Sequence, residues 1–118
     1  MKLAKVFLSL MAVVLVLAAC SSKSGSTKDG AKKMQDTLVQ MQKNVDAGDT
    51  AQIKKNAEEL EETWEGFEDD VKKNQADVYG KVEDPLGAIQ TGAKQSKPDP
   101  AVMKDQITKL NEALKLVK

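Results

Sequence analysis

Ile53-Lys54-Lys55-Asn56-Ala57-Glu58-Glu59-Leu60-Glu61-Glu62-Thr63-Trp64-Glu65-Gly66-Phe67-Glu68-Asp69-Asp70-Val71 decides the fold. Its apolar residues Ile53, Ala57, Leu60, Trp64, Phe67 and Val71 step 4-3-4-3-4 along the chain. A turn of 3.6 residues returns such positions to one face, so the stretch reads as an amphipathic helix with a polar back. The same spacing recurs upstream in Met34, Leu38, Met41 and Val45. Downstream it recurs twice, in Val78, Val82, Leu86, Ile89 and Ala93 and in Met103, Ile107, Leu110, Leu114 and Val117. No segment alternates with period two over a useful length, so strands have no support.

The residues between these stripes are helix punctuation. Gly48 suits the position just past a helix end, and Asp49 or Thr50 suits the cap of the next. Lys72 and Lys73 place cations near the second helix's negative end, and Asn74 or Gln75 turns the chain. Asp99-Pro100 is a favoured opening pair, a capping carboxylate followed by proline at the first helical position. Pro85 falls within the third stripe, where it loses a bond to the Lys81 carbonyl. That helix either kinks or splits there, and the shared face of Val82, Leu86 and Ile89 favours the kink. Short links favour antiparallel neighbours, so the expected architecture is an all-α, up-down-up-down four-helix bundle over residues 29–118. A homodimer of helical hairpins is the structural alternative.

Ahead of the helices, Lys2 and Lys5 precede an apolar run from Val6 to Ala19 broken only by Ser9. This is shorter than the 20 or so apolar residues of a membrane span. It ends in Leu17-Ala18-Ala19-Cys20, which resembles the lipobox of bacterial lipoproteins. The resemblance implies a cleaved signal peptide over residues 1–19 and a Cys20 that carries a diacylglycerol thioether and palmitate-type acyl chains. One acyl chain binds membranes only reversibly and two or more hold stably, so the mature domain is expected on the extracytoplasmic face of a bacterial membrane. The Ser/Gly-rich stretch from Ser21 to Lys28 adds a flexible tether, so that residues 20–28 join anchor to domain.

Composition removes several functions. The 118 residues hold 18 Lys, 18 Asp plus Glu, no Arg, no His and one Cys. Without Lys2 and Lys5 the balance falls to 16 against 18, near −2. No basic footprint for nucleic acid exists. A disulfide framework, a zinc finger and any Ser–His or Cys–His pair are equally excluded. With no phosphate-binding glycine loop either, an enzyme is not expected.

Carboxylates are what the chain has in excess. Eight acids and no Lys lie between Glu58 and Asp70. On a continuous helix Glu58 and Glu65 share one line and Glu62 and Asp69 another, while Glu61 and Glu68 flank the apolar stripe. Like charges at three- and four-residue spacing repel by a few tenths of a kcal/mol per pair. Ferric iron, calcium or manganese would relieve that repulsion; a solvated acidic face countered by lysines is the plain alternative. Trp64-Glu65-Gly66-Phe67-Glu68-Asp69-Asp70-Val71 and Tyr79-Gly80-Lys81-Val82-Glu83-Asp84-Pro85-Leu86 share a pattern fifteen residues apart: aromatic, two residues, apolar, Glu, Asp, one residue, apolar. A turn near Asn74 would bring Glu68 and Glu83 face to face. Glu68, Glu83, Glu65 and Asp69 are therefore the candidate metal ligands, with Trp64 and Tyr79 as aromatic walls or core anchors.

The run from Leu60 to Leu86, with Trp64…Phe67-Glu68…Val71 and Tyr79…Val82-Glu83…Pro85-Leu86, resembles the extracytoplasmic helical domain of Ftr-type bacterial iron permeases. More loosely it is similar to the helical domain of Efe-type iron-uptake lipoproteins. The similarity spans residues 32–116, its specific part those 27 residues. It implies a helical domain outside the membrane that assists iron capture or delivery, with Glu68 and Glu83 at the recurrent glutamates and Trp64 and Tyr79 at the recurrent aromatics. The Arg-Glu-x-x-Glu motif of the permeases and the His-x-x-Glu signature of Efe-type domains cannot occur in a chain lacking Arg and His. The expectation is an accessory that handles a ferric or divalent ion through oxygen ligands beside an iron permease or other envelope protein. The alternative is a structural adaptor that binds a protein partner and no metal.

Overall fold

The structure is a computed structural model that describes residues 26–118. The expected signal peptide, Cys20 and the first part of the expected tether lie outside the described residues. Five helices make up the fold: α1 (Ser26–Ala47), α2 (Thr50–Glu65), α3 (Glu68–Asn74), α4 (Ala76–Ala93) and α5 (Pro100–Leu114). No strand occurs among the described residues, and the chain is all-α as the periodicity required. Helix α1 packs on α2 and α5, while α4 packs on α2, α3 and α5.

Every position of the apolar stripes is buried except Val78, which is partly buried against the same core. Trp64, Met34, Met41, Leu60, Ile89, Met103 and Leu110 are its largest enclosed side chains. Asn56 and Thr37 are the polar residues within it. Each is satisfied: Asn44 Nδ2 donates to Asn56 Oδ1 at 2.7 Å, and Thr37 Oγ1 donates to the Lys33 carbonyl at 3.1 Å. Neither interrupts the core with an unpaired group, which would cost more than the bond contributes.

The expected second helix is two helices. Its stripe continues through Gly66-Phe67, but the backbone does not. Gly66 N–H and Phe67 N–H reach back three residues to the Thr63 and Trp64 carbonyls at 3.2 and 3.0 Å, a tightening that ends α2. Phe67 then leaves helical geometry at φ −141°, ψ 3°. Glycine is about 1 kcal/mol poorer than alanine inside a helix, so the break falls at a weak position. The next seven residues suit a helix of their own: Glu68, Asp69 and Asp70 in the first turn, Lys72 and Lys73 in the last, both signs matching the helix dipole. The turn also directs the Phe67 ring onto Gly30 of α1, where a β-carbon would collide with its Cδ1 and Cε1. The lines expected to join Glu58 with Glu65 and Glu62 with Asp69 are accordingly corrected at the second, since Glu62 and Asp69 stand on different helices.

Other boundaries obey the punctuation. Gly48 is left-handed at φ 71°. Asp49 accepts from Gln52 N–H at 3.2 Å, and Asp99 accepts from Ala101 N–H at 3.0 Å with Pro100 opening α5. Helix α4 runs unbroken through Pro85, which excludes the split. Helix α1 begins at Ser26, so the last three residues read as tether are helical. Gln75 joins α3 to α4 and also ties down the far end of the chain. It receives Lys118 N–H on Oε1 at 3.2 Å, and its Nε2 donates to the Lys118 main-chain oxygen at 3.3 Å. Thr27 Oγ1 donates to that same oxygen at 3.0 Å, which places the start of α1, the α3–α4 junction and residue 118 at one end of the molecule.

Candidate functional site

Glu83 is the centre of the site. Tyr79 precedes it by one turn of α4, and Tyr79 Oη donates to Glu83 Oε1 at 3.2 Å. Across the α2–α4 interface, Trp64 Nε1 donates to Glu83 Oε2 at 2.8 Å. Each carboxylate oxygen thus has an aromatic donor, and hydrogen bonds to an ionised acceptor are about twice as strong as neutral ones. The donors are themselves held. The Trp64 indole lies edge-on to Phe67 with centroids 5.1 Å apart and stacks on Tyr79 at 5.8 Å and 27°. Lys72 Nζ sits 5.5 Å from the Tyr79 ring centre. Burial, then the bond to Glu83 and its charge, push the Tyr79 phenol above its ordinary range, so it remains a donor.

Beside this clamp is a cleft of about 380 Å³ lined by Glu61, Trp64, Glu65, Glu68, Glu83, Leu86, Gly87, Gln90 and Lys94. Four carboxylates and one ammonium line it together with Trp64 and Leu86. Glu68 is half-buried at its edge, and its carboxyl is raised above the ordinary glutamate value. Burial is the largest cause, followed by the charges of Glu83, Asp69 and Glu65, with Lys72 opposing them. A positive ion entering the cleft would be drawn to the negative field that Glu68 already feels.

Of the sequence-selected ligands, the fold brings Glu65, Glu68 and Glu83 to one cleft. Asp69 does not line it; it is exposed and reaches Glu68 only through its charge. Trp64 forms part of the wall, whereas Tyr79 acts from behind by holding Glu83. Among the described residues, no three Asp, Glu, His or Cys side chains converge closely enough to hold a metal ion. The arrangement is an acid-lined recess with one oriented carboxylate, and a multidentate grip would require Glu65 or Glu68 to swing inward. Gln90 and Lys94 escaped the sequence reading, although Glu83, Gly87, Gln90 and Lys94 step 4-3-4 along one face of α4 and onto its C-cap. Gln90 is pinned by donating from Nε2 to the Ala57 carbonyl at 2.6 Å.

No family model matches the chain, and no solved structure matches it. It is similar to the iron uptake system component EfeM of Bacillus subtilis (strain 168), being 32% identical over 99 residues. The match covers 81% of this chain and 26% of that protein, so the chain spans about a quarter of its relative's length. A match of that extent takes in most of the helical residues. The similarity supports a relationship to a protein of iron uptake, in agreement with the Efe-type resemblance of the Leu60–Leu86 run.

Proposed function

We propose that the chain is a non-catalytic accessory of iron uptake, anchored through Cys20 on the extracytoplasmic face of a bacterial membrane. In this reading α2 and α3 together form one rod of a four-rod, up-down-up-down bundle. The similarity to EfeM carries the assignment to iron uptake. The cleft supplies the chemistry. Glu83, fixed by Trp64 and Tyr79, offers an oriented carboxylate, and Glu68 and Glu65 line the cleft beside it. A ferric or divalent ion is the cargo; carboxylate oxygens suit such hard ions. With a single oriented ligand the capture is weak and the release easy, which suits a protein that passes the ion to an iron permease or another envelope partner. No described helix is long and apolar enough to cross a membrane; the attachment in this reading is the Cys20 lipid, with two or more acyl chains holding stably.

Calorimetric titration with ferric citrate, ferrous, manganese and calcium ions tests the cargo. Saturable heat is expected from at least one ion and is weakened at least tenfold by Glu65→Gln with Glu68→Gln. Silence from all four ions sinks the metal reading. Fatty-acid labelling of the chain and of Cys20→Ala tests the anchor separately.

A second reading, an adaptor that binds a protein and no metal, draws on Val39. Its side chain is 58% exposed beside a groove of about 350 Å³ between α1 and α5, floored by Leu38 and Ile107. A photo-crosslinker at Val39 that captures one defined envelope protein, while all four ions stay silent, would favour it.

A further inference from the structure

We infer that the end of the molecule from which the tether leaves is a lysine face that rests on anionic phospholipid headgroups. The inference builds on the lipid-anchor reading. A cleft of about 490 Å³ between the start of α1 and the end of α5 is lined by Lys28, Lys32 and Lys115, with Asp29 the one acid among its lining residues. All three ammonium groups belong to exposed residues. Among the described residues Lys28 and Lys32 have no ion-pair partner. Lys115 reaches Glu112 Oε1 at 3.0 Å, but both side chains are more than half exposed, and a pair of that kind exchanges readily for another anion. Lys118 lies at the same end, held there by Thr27 and Gln75.

Position selects the occupant. Ser26 opens α1 only six residues after Cys20, and six residues span at most about 20 Å when fully extended. A lipid on Cys20 therefore keeps this end within about two screening lengths of the bilayer. Lysines that close to an anionic surface each strengthen association by roughly fivefold, and their methylene stems let the charged heads reach headgroup phosphates. The lysines are spread over an open cleft, a geometry suited to an array of headgroups. The face converts a loose tether into an orientation.

The test uses the lipidated chain in vesicles of phosphatidylcholine alone or with phosphatidylglycerol. Flotation with both reports the anchor. Acetylation of lysines, read by mass spectrometry, reports the face. Lys28, Lys32 and Lys115 should be protected severalfold only with phosphatidylglycerol, and high salt should remove the protection. Lys54, Lys55 and Lys104 should label equally in both. The Lys28→Gln, Lys32→Gln, Lys115→Gln variant should float as before, and amide exchange over residues 27–35 should no longer slow with phosphatidylglycerol. Flotation without lipid-dependent protection overturns the face and leaves the anchor standing. Protection found only in native membranes overturns it in favour of an acidic protein surface. Failure to float overturns the anchor, and the face with it.

Discussion

The Trp64 indole donates to Glu83 across the α2–α4 interface at 2.8 Å, so the one tryptophan of the chain is both core anchor and holder of the central carboxylate. Its two roles separate by substitution. Trp64→Phe keeps most of the ring but removes the donor, leaving one carboxylate oxygen without its partner. The expected cost is about 1–3 kcal/mol, the range for losing a bond to a charged group. That corresponds to a fall in thermal midpoint of roughly 4–8 °C per kcal/mol for a domain of this size. Circular dichroism measures it. In a Glu83→Gln background the same substitution should cost less, since the charge that strengthened the bond is gone; equal costs in both backgrounds would show that the pair is not coupled.

The turn between α2 and α3 sets Phe67 against a residue far away in sequence. Gly30 has no room for a β-carbon because the Phe67 ring lies directly over it. Gly30→Ala should destabilise by about 1–3 kcal/mol, the usual cost of overpacking a core. In a Phe67→Leu background, where the ring is absent, alanine at position 30 should be neutral or mildly stabilising because it favours the helix. Denaturant midpoints of the four proteins decide it, and a cost at position 30 that persists without the ring would remove the steric explanation.

These two contacts mark where sequence reading succeeds and where it stops. Apolar spacing located Met34 through Val117 in the core because each stripe needs only the period of a single helix. The break at Gly66 was hidden for the same reason: Trp64, Phe67 and Val71 keep the period across a turn that the backbone does not continue. The charge order of α3, acids at Glu68–Asp70 and cations at Lys72–Lys73, was the signal that could have exposed it. Glu68 and Glu83 were placed near one another by a repeated pattern. That Glu83 would accept from both Trp64 and Tyr79 depends on the register between α2 and α4, which no local spacing contains. Asn56 is likewise invisible in sequence, since only its meeting with Asn44 makes a buried amide tolerable.

The α1–α2 connection offers a backbone test. Gly48 holds φ at 71°, a region costly to residues with a β-carbon, and nothing else lies within 4 Å of where that carbon would sit. Gly48→Ala should therefore lose about 1–2 kcal/mol through backbone strain alone. Gly48→Asn should lose less, because asparagine tolerates the left-handed region. Equal losses for the two would point to a cause other than φ, and thermal melts are sufficient to tell.

Glu68 links stability to pH in a direction opposite to a salt-bridged acid. Burial and the charges of Glu83, Asp69 and Glu65 raise its carboxyl above the ordinary value of 4.5, so the folded chain holds this proton at a higher pH than the unfolded chain does. Its contribution to stability is present in full below the ordinary value and is lost as pH rises through the folded one. Glu68→Gln cannot titrate and escapes that loss. Urea denaturation should find the variant more stable than the parent at neutral pH, with the gap closing by about pH 4. A cation taken into the cleft at neutral pH would relieve the same repulsion without a proton. It should raise the parent's midpoint more than the variant's and so narrow the gap. If an ion that gives saturable heat stabilises both proteins equally, it binds somewhere that Glu68 does not feel, and the cleft is not its site.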